Sequence, residues 1–121
     1  MRRLLVLIPV LAAALGTAAS VMASAPSLTL TPASVKRGHT VLIKGNADGC
    51  SVGDAVTIIS RAFVHTHDFA GVPAVFARVR YGGTFKTTTR IPATKRPARY
   101  SVTARCGGGN LGVLRHLTVR A

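Results

Sequence analysis

Arg99-Tyr100-Ser101-Val102-Thr103-Ala104-Arg105-Cys106 alternates without a break. Tyr100, Val102, Ala104 and Cys106 fall on one parity, and Arg99, Ser101, Thr103 and Arg105 on the other. That is the two-residue period of a strand with one face on a core and one face in water. Helical periodicity is absent from the rest of the chain after residue 26. Short runs rich in Val, Ile, Thr and aromatics recur instead, separated by Gly, Pro and Asn. This spacing predicts an all-β domain, an antiparallel sandwich or barrel.

Seven strands are read in this way: Ser27–Thr31, Thr40–Gly45, Ala55–Val64, Ala74–Tyr81, Thr84–Ile91, Arg99–Cys106 and Val113–Ala121. Tyr81-Gly82-Gly83 is read as a hairpin turn, because glycine supplies positive φ without steric cost. Pro92 ends the fifth strand, since it cannot donate to a ladder. Gly107-Gly108-Gly109-Asn110 is read as a flexible tip before the last strand. Strand parity adds Val41, Ile43, Val56, Ile58, Val75, Val79, Phe85, Ile91, Leu117 and Val119 to the core. Arg61, Arg78, Arg80, Lys86, Arg90, His116 and Arg120 fall on outward parity, so positive charge is expected on both sheets.

The N-terminus has the order of an export signal. Met1-Arg2-Arg3 is basic, Leu4 to Gly16 is uncharged and apolar, and Thr17 to Ala25 is rich in small residues. Residues 1–23 are read as a cleavable signal peptide. The cut falls after Ala23, or after Ala25, where Ala23-Ser24-Ala25 fits A-x-A but Pro26 follows directly. A membrane span needs about 20 predominantly apolar residues. The second half of this run is Ala, Ser, Thr and Gly, so no transmembrane anchor is expected in the mature chain. Its destination is expected to be extracellular or cell-wall associated. Residues 27–121 then form one domain.

The chain has 16 Lys plus Arg against 3 acidic residues, a net charge of +13, and no Glu. Such a surface is drawn to polyanions. Export makes an anionic cell-envelope polymer or a protein the expected partner rather than nucleic acid. Cys50 and Cys106 are the two cysteines. In an oxidising compartment they have one possible pairing. The alternatives are two free thiols or half a metal site, and the wide spacing with no nearby partner argues against metal.

The residues Leu28 to the C-terminus resemble small exported bacterial immunoglobulin-like domains, especially those of high-GC Gram-positive bacteria. The likeness rests on SLTLTPASVKRGHTVLIKG from Ser27, Asp48-Gly49-Cys50, Gly83-Thr84-Phe85, Ile91-Pro92, Tyr100 to Cys106, and Leu117-Thr118-Val119. It implies a seven-stranded antiparallel immunoglobulin-like β-sandwich, with Cys50 and Cys106 as its single bridge, joining the loop after the second strand to the end of the sixth. Such domains serve as adhesive, spacing or binding modules. The opening segment is also similar to the neocarzinostatin-type apoproteins, which carry a small-molecule chromophore in a cleft of the same kind of sandwich.

No motif points to catalysis. There is no G-x-S-x-G elbow, and three Asp with no Glu leave paired-carboxylate chemistry poorly supplied. The chain is therefore not expected to be an enzyme, and no cofactor is expected. His65-Thr66-His67-Asp68 places two imidazoles on one side of an extended segment, but without a fixed third ligand no metal site is assigned. Phe63, Phe69 and Phe76 can form an apolar patch there. Phe63, His65, His67, Phe69 and Phe76 are the candidate ligand-binding residues, and the stretch Phe63 to Phe76 is where a cleft is expected. The expected function is a noncatalytic binding module. The alternative is a small-molecule carrier of the chromophore type.

Overall fold

The computed structural model describes residues 25–107 and 109–121. The expected signal peptide, residues 1–23, lies outside the described residues, as does Gly108 of the expected tip. Among the described residues no helix is long and apolar enough to cross a membrane.

The described chain is all-β. Its strands are β1 (Ser27–Thr31), β2 (Ser34–Lys36), β3 (Thr40–Asn46), β4 (Ala55–Ile59), β5 (His67–Phe69), β6 (Val72–Arg78), β7 (Thr84–Arg90), β8 (Ala98–Cys106) and β9 (Gly109–Arg120). One sheet has the order β1-β3-β7, the other β2-β9-β8-β4-β6-β5. Leu28, Leu30, Val41, Ile43 and Phe85 from the first sheet join Val56, Ile58, Val75, Val102, Ala104 and Leu117 from the second in one buried cluster. The arrangement is β-sandwich-like, each strand turning its apolar parity inward.

The core positions read from parity are buried, with Tyr100 half-buried. The strand count differs: among the described residues nine strands form rather than seven. Three-residue strands carry too little periodicity to be read from sequence. β2 lies parallel to β9, pairing Val35 with Val119, so the sheets are not wholly antiparallel. The third expected strand, Ala55–Val64, stops at Ile59. There Ser60 turns the chain. Its hydroxyl accepts from the Ala62 amide at 3.1 Å, its carbonyl accepts from the Phe63 amide at 3.3 Å, and Ala62 and Phe63 drop into the core.

The chain then returns as β5 and closes a two-residue turn onto β6. Ala70 and Gly71 both have positive φ, 51° and 85°, between Phe69 and Val72, which face each other in the ladder. This is the backbone of a type I′ hairpin. The Asp68 carboxylate accepts from the Gly71 amide at 2.7 Å and holds the turn. The expected glycine turn at Tyr81-Gly82-Gly83 also forms, with the Arg80 amide bonded to the Thr84 carbonyl at 2.8 Å. However, the strands that it joins, β6 and β7, belong to different sheets, so it is not a hairpin within one ladder.

Cys50, in the β3–β4 connection, is bonded to Cys106 at the end of β8, with Cα atoms 6.4 Å apart and a sequence separation of 56. Free thiols and a shared metal are thereby replaced by the disulfide. The bridge clamps the connection between the two sheets to a central strand of the larger one.

Candidate ligand-binding site

Outward parity and strand order together build one face. β4 lies between β8 and β6, pairing Thr57 with Arg105 and with Phe76, and Ile59 with Thr103 and with Ala74. The outer face of the six-stranded sheet therefore carries Thr57, Ile59, Arg99, Ser101, Thr103, Arg105, Val72 and Phe76 together. β4 ends at Ile59 while β6 and β8 continue past it, which leaves a depression where the middle strand stops.

That depression is a hollow of about 340 Å³. Ile59, Val72 and the half-buried Tyr100 supply apolar wall; Ser60, Ser101 and Thr103 line it with hydroxyl-bearing residues. Arg61 and Arg99 stand in the same lining. Arg61 is held at the rim by the Ser60 turn, and its carbonyl accepts from the Lys95 ammonium at 2.7 Å. That ammonium is 6.0 Å from the centre of the Tyr100 ring. The Tyr100 hydroxyl donates to the Arg96 carbonyl at 2.6 Å, fixing the ring that forms one wall.

The five residues expected at a ligand site divide into three groups. Phe63 is 1% exposed and belongs to the core, so its assignment to a ligand patch is corrected. The Ser60 turn aims it inward. His65 is exposed, 3.6 Å from the Asp68 carboxylate. His67, Phe69 and Phe76 sit together on the outer face beside the hollow. The His67 and Phe76 rings are 4.6 Å apart, and the Arg105 guanidinium lies 5.0 Å from the Phe69 ring centre. Phe69 and Phe76 keep 39% and 46% of their surface exposed. Phe69 is paired with Val72, which lines the hollow, so the aromatic ridge and the hollow adjoin. Among the described residues no three His, Cys, Asp or Glu side chains gather in a metal-binding set.

The expected site residues and the lining of the hollow are largely different residues. Of the expected stretch, Phe63 to Phe76, Val72 alone is in the hollow's lining. Arg99, Ser101 and Thr103 were legible as outward residues of one strand. What could not be read was that this strand lies beside β4, far away in sequence.

No protein-family model matches this chain, and no curated protein sequence does. Solved structures share its fold. Macromomycin superposes with a TM-score of 0.53 at 16% identity, over 79% of this chain and 100% of its own length. The alkylpurine DNA glycosylase AlkC of Pseudomonas fluorescens, bound to DNA containing an abasic site analogue, superposes with a TM-score of 0.54 at 17% identity. In that case 78% of this chain is covered, and this chain spans only 29% of the glycosylase. At these identities the likeness is one of fold.

Proposed function

We propose that this chain is an exported, noncatalytic immunoglobulin-like domain that carries a small molecule in the hollow on the outer face of its six-stranded sheet. The hollow is the observation that carries this reading. Its volume lies at the lower end of the range of small-molecule sites, which runs from about 300 to 1,000 Å³. The likeness to macromomycin, a neocarzinostatin-type apoprotein, along that protein's whole length supports the same reading.

Two features favour the immunoglobulin-like assignment. The order β9-β8-β4 corresponds to the G, F and C strands of such domains, facing a sheet whose β1-β3-β7 order corresponds to A, B and E. The Tyr100 hydroxyl reaches back four residues to the Arg96 carbonyl at the entry to β8, as a tyrosine corner does. The disulfide supports export to an oxidising compartment.

Native mass spectrometry of the protein isolated from its producer tests the carrier reading. A noncovalent small-molecule adduct is expected, and it should be lost when Ser101→Trp fills the hollow. An adduct retained by Ser101→Trp would remove the hollow from consideration.

The second reading is an envelope-binding module, and the net charge of +13 favours it. Lys44 and Lys86 face each other on the outer side of the three-stranded sheet, while Arg99 and Arg105 lie on the other sheet. Charge spread in this way suits loose adsorption to a polyanion. Retention on isolated cell walls should then collapse in 0.5 M salt, where exposed charges are screened within a few ångströms.

A further inference from the structure

We propose that the hollow selects an aromatic or otherwise flat apolar molecule bearing an acidic group, a carboxylate, sulfonate or phosphate. This inference rests on the carrier reading and specifies the ligand class for the same site. The lining has two chemistries in one place. Ile59, Val72 and Tyr100 offer apolar surface for a hydrocarbon body. Arg61 and Arg99 offer two guanidinium groups, each a planar fork that matches an oxyanion with two parallel hydrogen bonds.

The charge at the hollow is not neutralised by the protein. The three acidic residues are Asp48, Asp54 and Asp68, and none of them lines the hollow. The Asp54 carboxylate accepts from the Ser51 amide at 3.2 Å in the β3–β4 connection. Asp68 is engaged by the Gly71 amide and faces His65. Among the described residues His65–Asp68 is the one side-chain ion pair, so neither arginine of the hollow has a carboxylate partner. Lys95 adds a third cation at the rim, anchored on the Arg61 carbonyl and leaning toward the Tyr100 ring. Three cations around one apolar depression leave a positive field that a neutral ligand would not use and a cationic ligand would oppose. Ser101 and Thr103 add hydroxyl groups suited to the remaining oxygens of an acidic head.

Two fluorescent probes with one aromatic skeleton separate the effects: 8-anilinonaphthalene-1-sulfonate, which is anionic, and N-phenyl-1-naphthylamine, which lacks the sulfonate. The mature protein is titrated with each. The expected result is saturable one-to-one binding of the sulfonate, at least tenfold tighter than the amine. Arg61→Gln and Arg99→Gln should each weaken the sulfonate by about tenfold and leave the amine within twofold. Lys86→Gln, which removes the same charge from the opposite sheet, should change neither. Equal affinity for the two probes, abolished by Ser101→Trp but indifferent to both arginine substitutions, overturns the anion assignment and leaves the hollow as a carrier site. An equal loss from Lys86→Gln assigns the preference to overall charge and also overturns it. Sulfonate binding that survives Ser101→Trp, or no saturable binding of either probe, takes down the carrier reading itself.

Discussion

Phe85 stands directly opposite Gly45 across the β3–β7 ladder, and its ring occupies the space that a side chain at position 45 would need. A Cβ at Gly45 would meet the Phe85 ring at 2.5 Å and collide with the Ser27 backbone carbonyl. Phe85 is 1% exposed and cannot swing into water. The glycine is thus a steric requirement of the close approach between β1, β3 and the ring. Gly45→Ala is expected to destabilise the fold by about 2–3 kcal/mol, the upper range for overpacking. Urea unfolding measures it, and a loss below about 0.5 kcal/mol would show that the sheet yields freely here.

Ala70 offers the opposite sign. It holds φ at 51°, a region that costs a residue with a Cβ about 1–2 kcal/mol. Position 70 is the first central residue of the β5–β6 turn, and asparagine tolerates that conformation better. Ala70→Asn, which creates an Asn-Gly turn, should stabilise by about 0.5–1 kcal/mol. A lowered denaturation midpoint would contradict the turn assignment.

The Cys50–Cys106 bridge closes a long loop, with a sequence separation of 56. In the chain-entropy model a loop of this size contributes about 4 kcal/mol. Cys50→Ala with Cys106→Ala should lower stability by roughly 2–5 kcal/mol, read as a shift in the urea midpoint. The unreduced protein should show no titratable thiol, and two such thiols would end the claim.

Phe63 and Phe69 are six residues apart and should behave in opposite ways. Phe63 is buried in the core and Phe69 is 39% exposed. Phe63→Ala should cost about 3–5 kcal/mol through the cavity that it leaves. Phe69→Ala should stay within about 1 kcal/mol, as exposed substitutions do, even though it removes the Arg105 contact. Equal costs would mean that the Ser60 turn does not divide the segment as described.

For the candidate site, the sequence was informative one strand at a time. Alternation in Arg99 to Cys106 separated wall residues from core residues, because side-chain direction in a strand depends only on parity. It placed Tyr100 inward, whereas the ring is half-buried with its hydroxyl on the Arg96 carbonyl. Parity has no position for a side chain long enough to span from core to surface. Phe63 was misjudged for a related reason. An apolar residue beyond a strand end has no parity, and the Ser60 hydroxyl bond that sets its direction is a matter of local geometry.

Local physics, legible in the chain alone, determined that these residues form strands, which side of each strand is apolar, and where glycine and proline interrupt them. Val41, Ile43, Val56, Ile58, Val102 and Ala104 are buried because alternation left them no other face. Tertiary structure decided everything that depends on which strands become neighbours. Three-residue β2 and β5 gain their hydrogen bonds only from β9 and β6. β6 and β7 follow one another through a tight turn yet enter different sheets. Arg61 and Arg99 meet at one hollow because β4 stops beside β8, a sequence separation of 38 closed only by long-range pairing. Hydrophobic burial acts on all faces at once and carries no memory of sequence distance. The site therefore exists only after the sheets have closed on each other.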